Sequence, residues 1–363
     1  MISSFLFPSY QGFALLLVEF LLAGGLVLAL SIRLTHEADQ LERLTPLSEM
    51  WIGMLLLAFV TSLPEAVNSI GATLMDGALD LGVGNLTGSN MFNVLIIVVL
   101  DLVQGSGPIL LLVKDSQVFI VAAGILLMAL VGGAIASYIP LEGLPTPGVW
   151  TGVAFSVAIF IGFLVVSWLL VTRDDGPPAP DEVPDIAVAA PPPAPGSLKR
   201  TIIIFAATAV AVVFSSIWLL HICDAMAIRP ITLGKSSFTL GHSFVGSFLL
   251  ALATSLPELF VSLGALKLGR VNMSVANIFG SNIMNMSFIP IMHLVSGQAS
   301  FYSAISPASI VMLFAAIIMS TLFIVGLLAK SKRSFLFLGW EACTILVIYA
   351  TTAILVFRMG TGA

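Results

Sequence analysis

Apolar residues in this chain come in long, nearly charge-free runs, separated by short segments rich in polar residues, glycine or proline. A bilayer-spanning helix needs about 20 such residues, and the pattern predicts ten spans. They fall at residues 11–33, 48–75, 82–104, 117–139, 148–171, 200–221, 242–266, 272–296, 304–328 and 335–357. The first run reads as a span and not as a secretion signal. No Lys or Arg precedes it, and it is longer than a signal's apolar core. The expected fold is an all-α polytopic membrane protein.

One stretch breaks the pattern. Residues 174–197 hold eight prolines and five acids, a composition that cannot bury a core and predicts an extended linker. Its acids are not at metal-ligand spacing and read as solvated linker charge. The linker divides the chain into residues 1–173 and 198–363, with five spans in each. Loops after odd-numbered spans carry eleven of the Lys and Arg residues and the opposite side carries three. Positive residues favour the cytoplasmic side, so the linker is expected in the cytoplasm and both termini outside, in a cell (plasma) membrane.

Composition closes off other classes. Charged residues make up 9% of the chain and hydrophobic ones 58%, against about 25% charged in a soluble domain. That excludes a soluble enzyme. With 14 Lys+Arg against 19 Asp+Glu there is no basic field for nucleic acid either. Cys223 and Cys343 give neither a disulfide framework nor a metal-binding spacing.

The chemistry sits in a repeat. Residues 58–93 read AFVTSLPEAVNSIGATLMDGALDLGVGNLTGSNMFN, and residues 251–285 read ALATSLPELFVSLGALKLGRVNMSVANIFGSNIMN. Thr61-Ser62-Leu63-Pro64-Glu65 matches Thr254-Ser255-Leu256-Pro257-Glu258 at an offset of 193, and Gly88-Ser89-Asn90 with Asn93 matches Gly280-Ser281-Asn282 with Asn285 at 192. The one-residue slip falls between the two spans of each copy. Ser69, Gly71 and Ala72 recur as Ser262, Gly264 and Ala265. Five spans is an odd number, so the second copy must enter the membrane inverted. Inverted repeats build transporters with the substrate site near the midplane.

Two carboxylates at equivalent mid-span points demand compensation. Each costs roughly 2.5–3.5 kcal/mol even on the lenient insertion scale, and the repeat spans hold no Lys or Arg among them to offset it. Pro64 and Pro257 lack an N–H and should free the carbonyls of Val60 and Ala253. Unwound carbonyls facing a cavity are cation ligands. Thr61 and Glu65 share a helix face, as do Ser89 with Asn93 and Ser281 with Asn285. Calcium takes about six to eight oxygens. Two bidentate glutamates and two carbonyls near the threonines would give six, and the surrounding hydroxyls suit smaller monovalent ions. No His or Cys joins the cluster, which argues against zinc or copper.

At these motifs the sequence resembles the calcium/cation antiporter superfamily, and most closely its sodium/calcium exchanger branch. The paired TSLPE segments, followed by GNxxGSNxxN in the first copy and NxxGSNxxN in the second, carry the likeness; elsewhere only hydropathy does. The resemblance implies a calcium site of Glu65 and Glu258 with the Thr61 and Thr254 carbonyls. It implies sodium sites from Ala58, Thr61, Ser62 and Ser89 on one side and Ala251, Thr254, Ser255 and Ser281 on the other, with Asn93 and Asn285 completing the centre. The transported ions would be calcium and sodium, with no cofactor. Protein partners are left open. Some relatives carry an aspartate at one central asparagine position, whereas here both are Asn, leaving two formal negative charges. The linker is also too short for a folded regulatory domain, so allosteric calcium control is not expected.

Other polar residues read more plainly. Gly71, Gly88, Gly264 and Gly280 are expected at close helix contacts, Glu341 and His221, His242 and His293 near the membrane interface, and Glu19 as a candidate for an access path. The sequons at Asn85, Asn272 and Asn285 lie at or within spans and are not glycosylation sites. A proton/calcium exchanger is the nearest alternative, since clustered glutamates can release a cation by protonating. A cation channel is more distant, because no pore-lining charge ring appears. An intramembrane hydrolase is the least favoured, because no Ser–His arrangement is visible.

Overall fold

The computed structural model describes residues 12–44, 59–105, 108–140, 142, 145, 147–172, 198–233, 236–267, 269, 271–330, 334–335 and 338–361. The chain is a polytopic helical membrane protein. Its helices are α1 (Phe13–Leu44), α2 (Leu63–Thr73), α3 (Leu79–Gln104), α4 (Gln117–Ser137), α5 (Val149–Thr172), α6 (Leu198–Ile228), α7 (His242–Lys267), α8 (Val271–Ser296), α9 (Pro307–Ala329) and α10 (Trp340–Thr361). Among the described residues nine of these are long and apolar enough to cross a membrane. The remaining one, α2, belongs to the expected span 48–75, which is described only from residue 59. Ala58 and the linker 174–197 lie outside the described residues.

Two short antiparallel hairpins add to the all-α expectation, β1 (Ile231–Leu233) with β2 (Ser236–Phe238) and β3 (Ser334–Phe335) with β4 (Leu338–Gly339). The second moves the start of the last span from residue 335 to Trp340. The Gly339 N–H donates to the Asp101 carboxylate at 2.8 Å instead of entering a helical ladder. Helices α1 and α6 run past their apolar stretches, to Leu44 and Ile228. In α1 the polar extension is held by an Arg33–Glu37 ion pair of 2.5 Å one turn apart.

Burial separates central from peripheral helices. In their most apolar stretches α3 and α8, from the two repeat copies, are 78% and 72% buried, whereas α5 and α10 are 17% and 22% buried. The lipid-facing role falls to the latter, whose exposed Trp150, Trp168, Leu346 and Val347 suit an apolar solvent. The buried apolar residues form one large core among α3, α4, α8, α9 and α10 and a second around α1 and α6, the latter built on Leu16, Phe20, Val27, Leu219 and Cys223.

The repeated proline acts differently in the two copies. Residues 59–61 are helical, the chain turns at Ser62 (φ −84°, ψ 7°), and α2 resumes with Pro64 in its first turn. In the second copy Pro257 sits inside a continuous helix, and the irregularity comes earlier as a π-helical stretch, Val245–Leu250. That stretch lies against α3 with almost no room between backbones. A Cβ on Gly88 would come within 2.1 Å of the Ser247 carbonyl oxygen, and one on Gly246 within 2.4 Å of the Leu81 carbonyl oxygen. Gly71 also packs closely, against Leu220, but Gly264 faces open space, contrary to its expected role.

Candidate ion-binding site

The two TSLPE segments and the two GSNxxN segments meet at one buried cluster. Glu65 is 1% exposed and Glu258 is 0% exposed. Each carboxylate is held by the opposite copy: the Ser255 hydroxyl donates to Glu65 Oε1 at 2.9 Å, and the Ser62 hydroxyl to Glu258 Oε1 at 3.4 Å. Each is also held by its own copy, Ser89 donating to Glu65 Oε1 at 3.5 Å and Ser281 to Glu258 Oε1 at 3.3 Å. Thr61 adds a side-chain hydrogen bond to Glu258.

The asparagines exchange bonds in the same reciprocal way. Asn93 Nδ2 donates to Asn282 Oδ1 and Asn285 Nδ2 to Asn90 Oδ1, both at 3.0 Å. Asn90 and Asn282 donate to each other's backbone carbonyls, both at 3.3 Å. Asn85 reaches Ser69 Oγ at 3.0 Å and the Glu65 carbonyl at 3.3 Å, while Asn277 reaches Ser262 Oγ at 3.1 Å and the Glu258 carbonyl at 3.4 Å. Each of these bonds has a counterpart when the two copies are exchanged.

Of the residues expected at the site, Glu65, Glu258, Ser62, Ser255, Ser89, Ser281, Asn93, Asn285 and Thr61 come together. Thr254 belongs to the same cluster through Asn85, to whose Oδ1 its hydroxyl donates at 3.1 Å. Ala251 begins the regular part of α7 after the π-helical stretch, and its carbonyl accepts from Thr254 at 3.4 Å. The sequence reading did not single out Asn85, Asn90, Asn277 and Asn282 as site residues. The signal was present, since all four lie inside the duplicated motif.

What the cluster can do follows from its unmatched atoms. Glu65 Oε2, Glu258 Oε2, Asn93 Oδ1 and Asn285 Oδ1 are buried with no hydrogen-bond partner. All four are acceptors. Among the described residues neither glutamate is ion-paired with a Lys, Arg or His side chain. Uncompensated buried carboxylates cost several kcal/mol each, and buried acceptors without donors add to that. Four acceptor oxygens, from a glutamate and an asparagine of each copy, make an environment for a positive ligand. The serine hydroxyls donate to the carboxylates and keep their own lone pairs for coordination.

A second polar cluster tests the reading of the histidines and of the hydrolase alternative. The Ser156 hydroxyl lies 2.7 Å from His293 Nδ1 and 2.8 Å from the Tyr302 hydroxyl, a Ser–His pair that the sequence did not reveal. Burial pushes the Tyr302 phenol up to about 12, so it remains protonated. The imidazole is stacked on Phe301, and among the described residues no carboxylate orients it as the third member of a nucleophilic triad would. The cluster joins α5 to α8. His242 instead pairs with Asp224 at 2.9 Å.

Comparison with known proteins agrees with the architecture. The chain is 28% identical over 291 residues to inner membrane protein YrbG of Escherichia coli (strain K12), covering 76% of this chain and 78% of that protein. It is also 28% identical over 275 residues to the putative antiporter CaxA of Alkalimonas amylolytica, covering 74% and 76%. The fold matches that of native YfkE with a TM-score of 0.64 at 17% identity, covering 98% of this chain and 95% of that one. It matches the H+/Ca2+ exchanger CAX at 0.62 and 12% identity, covering 99% and 89%. The sodium-calcium exchanger NCX_Mj aligns at 0.55 and 21% identity, covering 94% and 99%. The family described as sodium/calcium exchanger protein matches residues 15–169 and 201–358, nearly the whole of both halves. The chain belongs to the sodium/calcium exchanger family of membrane antiporters.

Proposed function

We propose that this antiporter exchanges calcium for sodium, by alternating access around a central site built on Glu65 and Glu258. Four buried, unpartnered acceptor oxygens carry the reading: Oε2 of each glutamate and Oδ1 of Asn93 and Asn285. Calcium takes the glutamates together with the Thr61 and Thr254 carbonyls. Sodium takes the flanking groups, namely Ala58, Thr61, Ser62 and Ser89 from one copy and Ala251, Thr254, Ser255 and Ser281 from the other. Residues 1–173 and 198–363 form two inverted five-span repeats, with the linker 174–197 cytoplasmic and both termini outside the cell membrane. The protein is a carrier without a cofactor, not an enzyme.

A proton/calcium exchanger is the competing reading, because each unpartnered Oε2 can take a proton as calcium leaves. Calcium flux into proteoliposomes separates the two. The proposal expects uptake driven by an outward sodium gradient at uniform pH and none driven by a proton gradient without sodium. The reverse pattern overturns sodium coupling. Flux that persists with neither counter-ion would indicate a channel and overturn exchange altogether.

A further inference from the structure

The duplication breaks down at one buried position beside the exchange site. At the offset of 193 that pairs Glu65 with Glu258, Asn68 corresponds to Val261. The first copy alone carries an amide there, three residues past its glutamate. Asn68 is 0% exposed. Its Nδ2 donates to the Pro64 carbonyl at 2.8 Å, which fixes the amide's orientation, since turning it over would set two acceptor oxygens against each other. Oδ1 is left buried with no hydrogen-bond partner. A buried acceptor without a donor is costly, and Val261 shows that an apolar side chain serves at this point of the repeat.

A helix turns by about 100° per residue, which sets Asn68 between the directions of Glu65 and Gly71. Glu65 reaches the central cluster. Gly71 lies against α6, where an added Cβ would come within 2.9 Å of Leu220 Cδ2. Asn68 therefore stands at the seam between the central site and α6. Ser216, one turn before Leu220 on the same face of α6, is also 0% exposed, and its hydroxyl has no partner. Val60 and Val212 share an apolar cluster at the other end of this contact. Ser216 thus falls along the stretch 60–71, which holds both Glu65 and Asn68.

We infer that Asn68, with Ser216 of α6, supplies further ligands to a sodium ion on the first-copy side of the site. This deepens the proposed exchange of calcium for sodium and rests on it. Amide and hydroxyl oxygens are neutral, so beside Glu65 Oε2 they surround a single negative charge, which a monovalent ion balances. Calcium instead draws on both glutamates. Carbonyl oxygens commonly hold sodium in carriers built from broken helices, and Ala58, Thr61, Ser62 and Ser89 complete the shell. Because Ser216 belongs to α6, sodium held here ties the outer helix to the centre. With Val261 in the matching place, the second-copy side lacks this ligand, and the two sides differ in sodium affinity.

Asn68→Val installs the second copy's side chain. The test follows thermal unfolding of the purified full chain in detergent against sodium chloride and, separately, calcium chloride, with choline chloride holding the ionic strength constant. The sodium concentration that gives half of the stabilisation should rise about fivefold or more, the order that one neutral polar contact carries, while the calcium midpoint stays within about twofold. An unchanged sodium midpoint overturns the assignment. So do sodium and calcium midpoints that rise together, since a displaced Glu65 would give that result. Asn68→Ala, too small to overfill the seam, decides if the valine variant does not fold. Ser216→Ala should raise the sodium midpoint alone, and no shift would remove Ser216 from the site. Sodium-driven calcium flux by the unaltered chain tests the exchange reading by itself: flux that persists beside an unmoved sodium midpoint in Asn68→Val sinks only the ligand, whereas a chain without such flux sinks the exchange reading.

Discussion

Replacing Glu258 with glutamine probes the central site most directly. The change keeps the shape of a side chain that is wholly buried and removes one of two negative charges. It also puts an amide donor among acceptors that already lack partners. Removing one member of a buried charge pair costs about 3–5 kcal/mol, which weakens calcium binding roughly 150-fold or more. The effect on stability has the opposite sign without ion, since an uncompensated buried carboxylate is relieved. At calcium equal to 100 times its dissociation constant, the unaltered chain should gain about 2.7 kcal/mol of stability. The same concentration would give Glu258→Gln at most about 0.3 kcal/mol. Calcium-dependent thermal unfolding of the purified protein, read beside flux in proteoliposomes, measures both. A variant that keeps its calcium-induced stabilisation and near-normal flux would show that Glu258 does not hold the ion.

Ser255→Ala removes the 2.9 Å bond to Glu65, and the loss of a buried charge-assisted hydrogen bond, about 1.5–3 kcal/mol, should lower apparent ion affinity roughly tenfold to hundredfold while leaving the chain folded; an unchanged affinity would remove Ser255 from the site. Gly88→Ala puts a methyl group where the Ser247 carbonyl oxygen lies 2.1 Å away, so folded yield or transport should fall sharply, and a fully active, equally stable variant would contradict the close approach of α3 and α7. Single cysteines along α1 and α6 should change their labelling between saturating sodium and saturating calcium, because these helices pack on the motif-bearing segments through an apolar cluster that includes Ala72, Leu81, Val245 and Ala253; identical labelling in both conditions would argue against their movement. If three sodium ions exchange for one calcium, each cycle moves one charge, worth roughly 2.3 kcal/mol per 100 mV, so a clamped potential should shift the equilibrium; an end point independent of potential would set the ratio at two.

The spans were legible because an apolar run of about 20 residues has few alternatives, and α3, α4, α5, α7, α8 and α9 fall within a few residues of their expected limits. Helix ends were less so. The ends of α1 and α6 carry charged and polar residues that hydropathy assigns to loops, and α10 begins late because a backbone N–H is diverted to Asp101. Within the site, duplication named the residues but not their contacts. Nothing in a linear sequence says that Ser255 serves Glu65 or that Asn93 serves Asn282, because those bonds cross between copies nearly 200 positions apart. The burial of Glu341 was hidden for the same reason. Its place six residues into an apolar run put it near the interface, and the first turn of α10 is where it lies, but only tertiary packing against α3 and α9 buries its side chain.

The crossing of those bonds bears on how the proposed mechanism can work. Each carboxylate is anchored by the serine of the other copy and each central amide by the other copy's asparagine, so neither copy alone holds a complete set of ligands. Separating the copies to let an ion out would break at least the Ser255–Glu65, Ser62–Glu258, Asn93–Asn282 and Asn285–Asn90 bonds together, leaving two carboxylates with fewer donors in a dry interior. Access is less costly if the network stays whole and the wall around it moves. Helices α1 and α6 pack against that network through an apolar cluster that takes in Leu81 of α3 and Val245, Leu250 and Ala253 of α7. A sliding pair of apolar helices exchanges one apolar contact for another, whereas opening the centre exposes unpaired charge, so the proposed mechanism would move the outer pair.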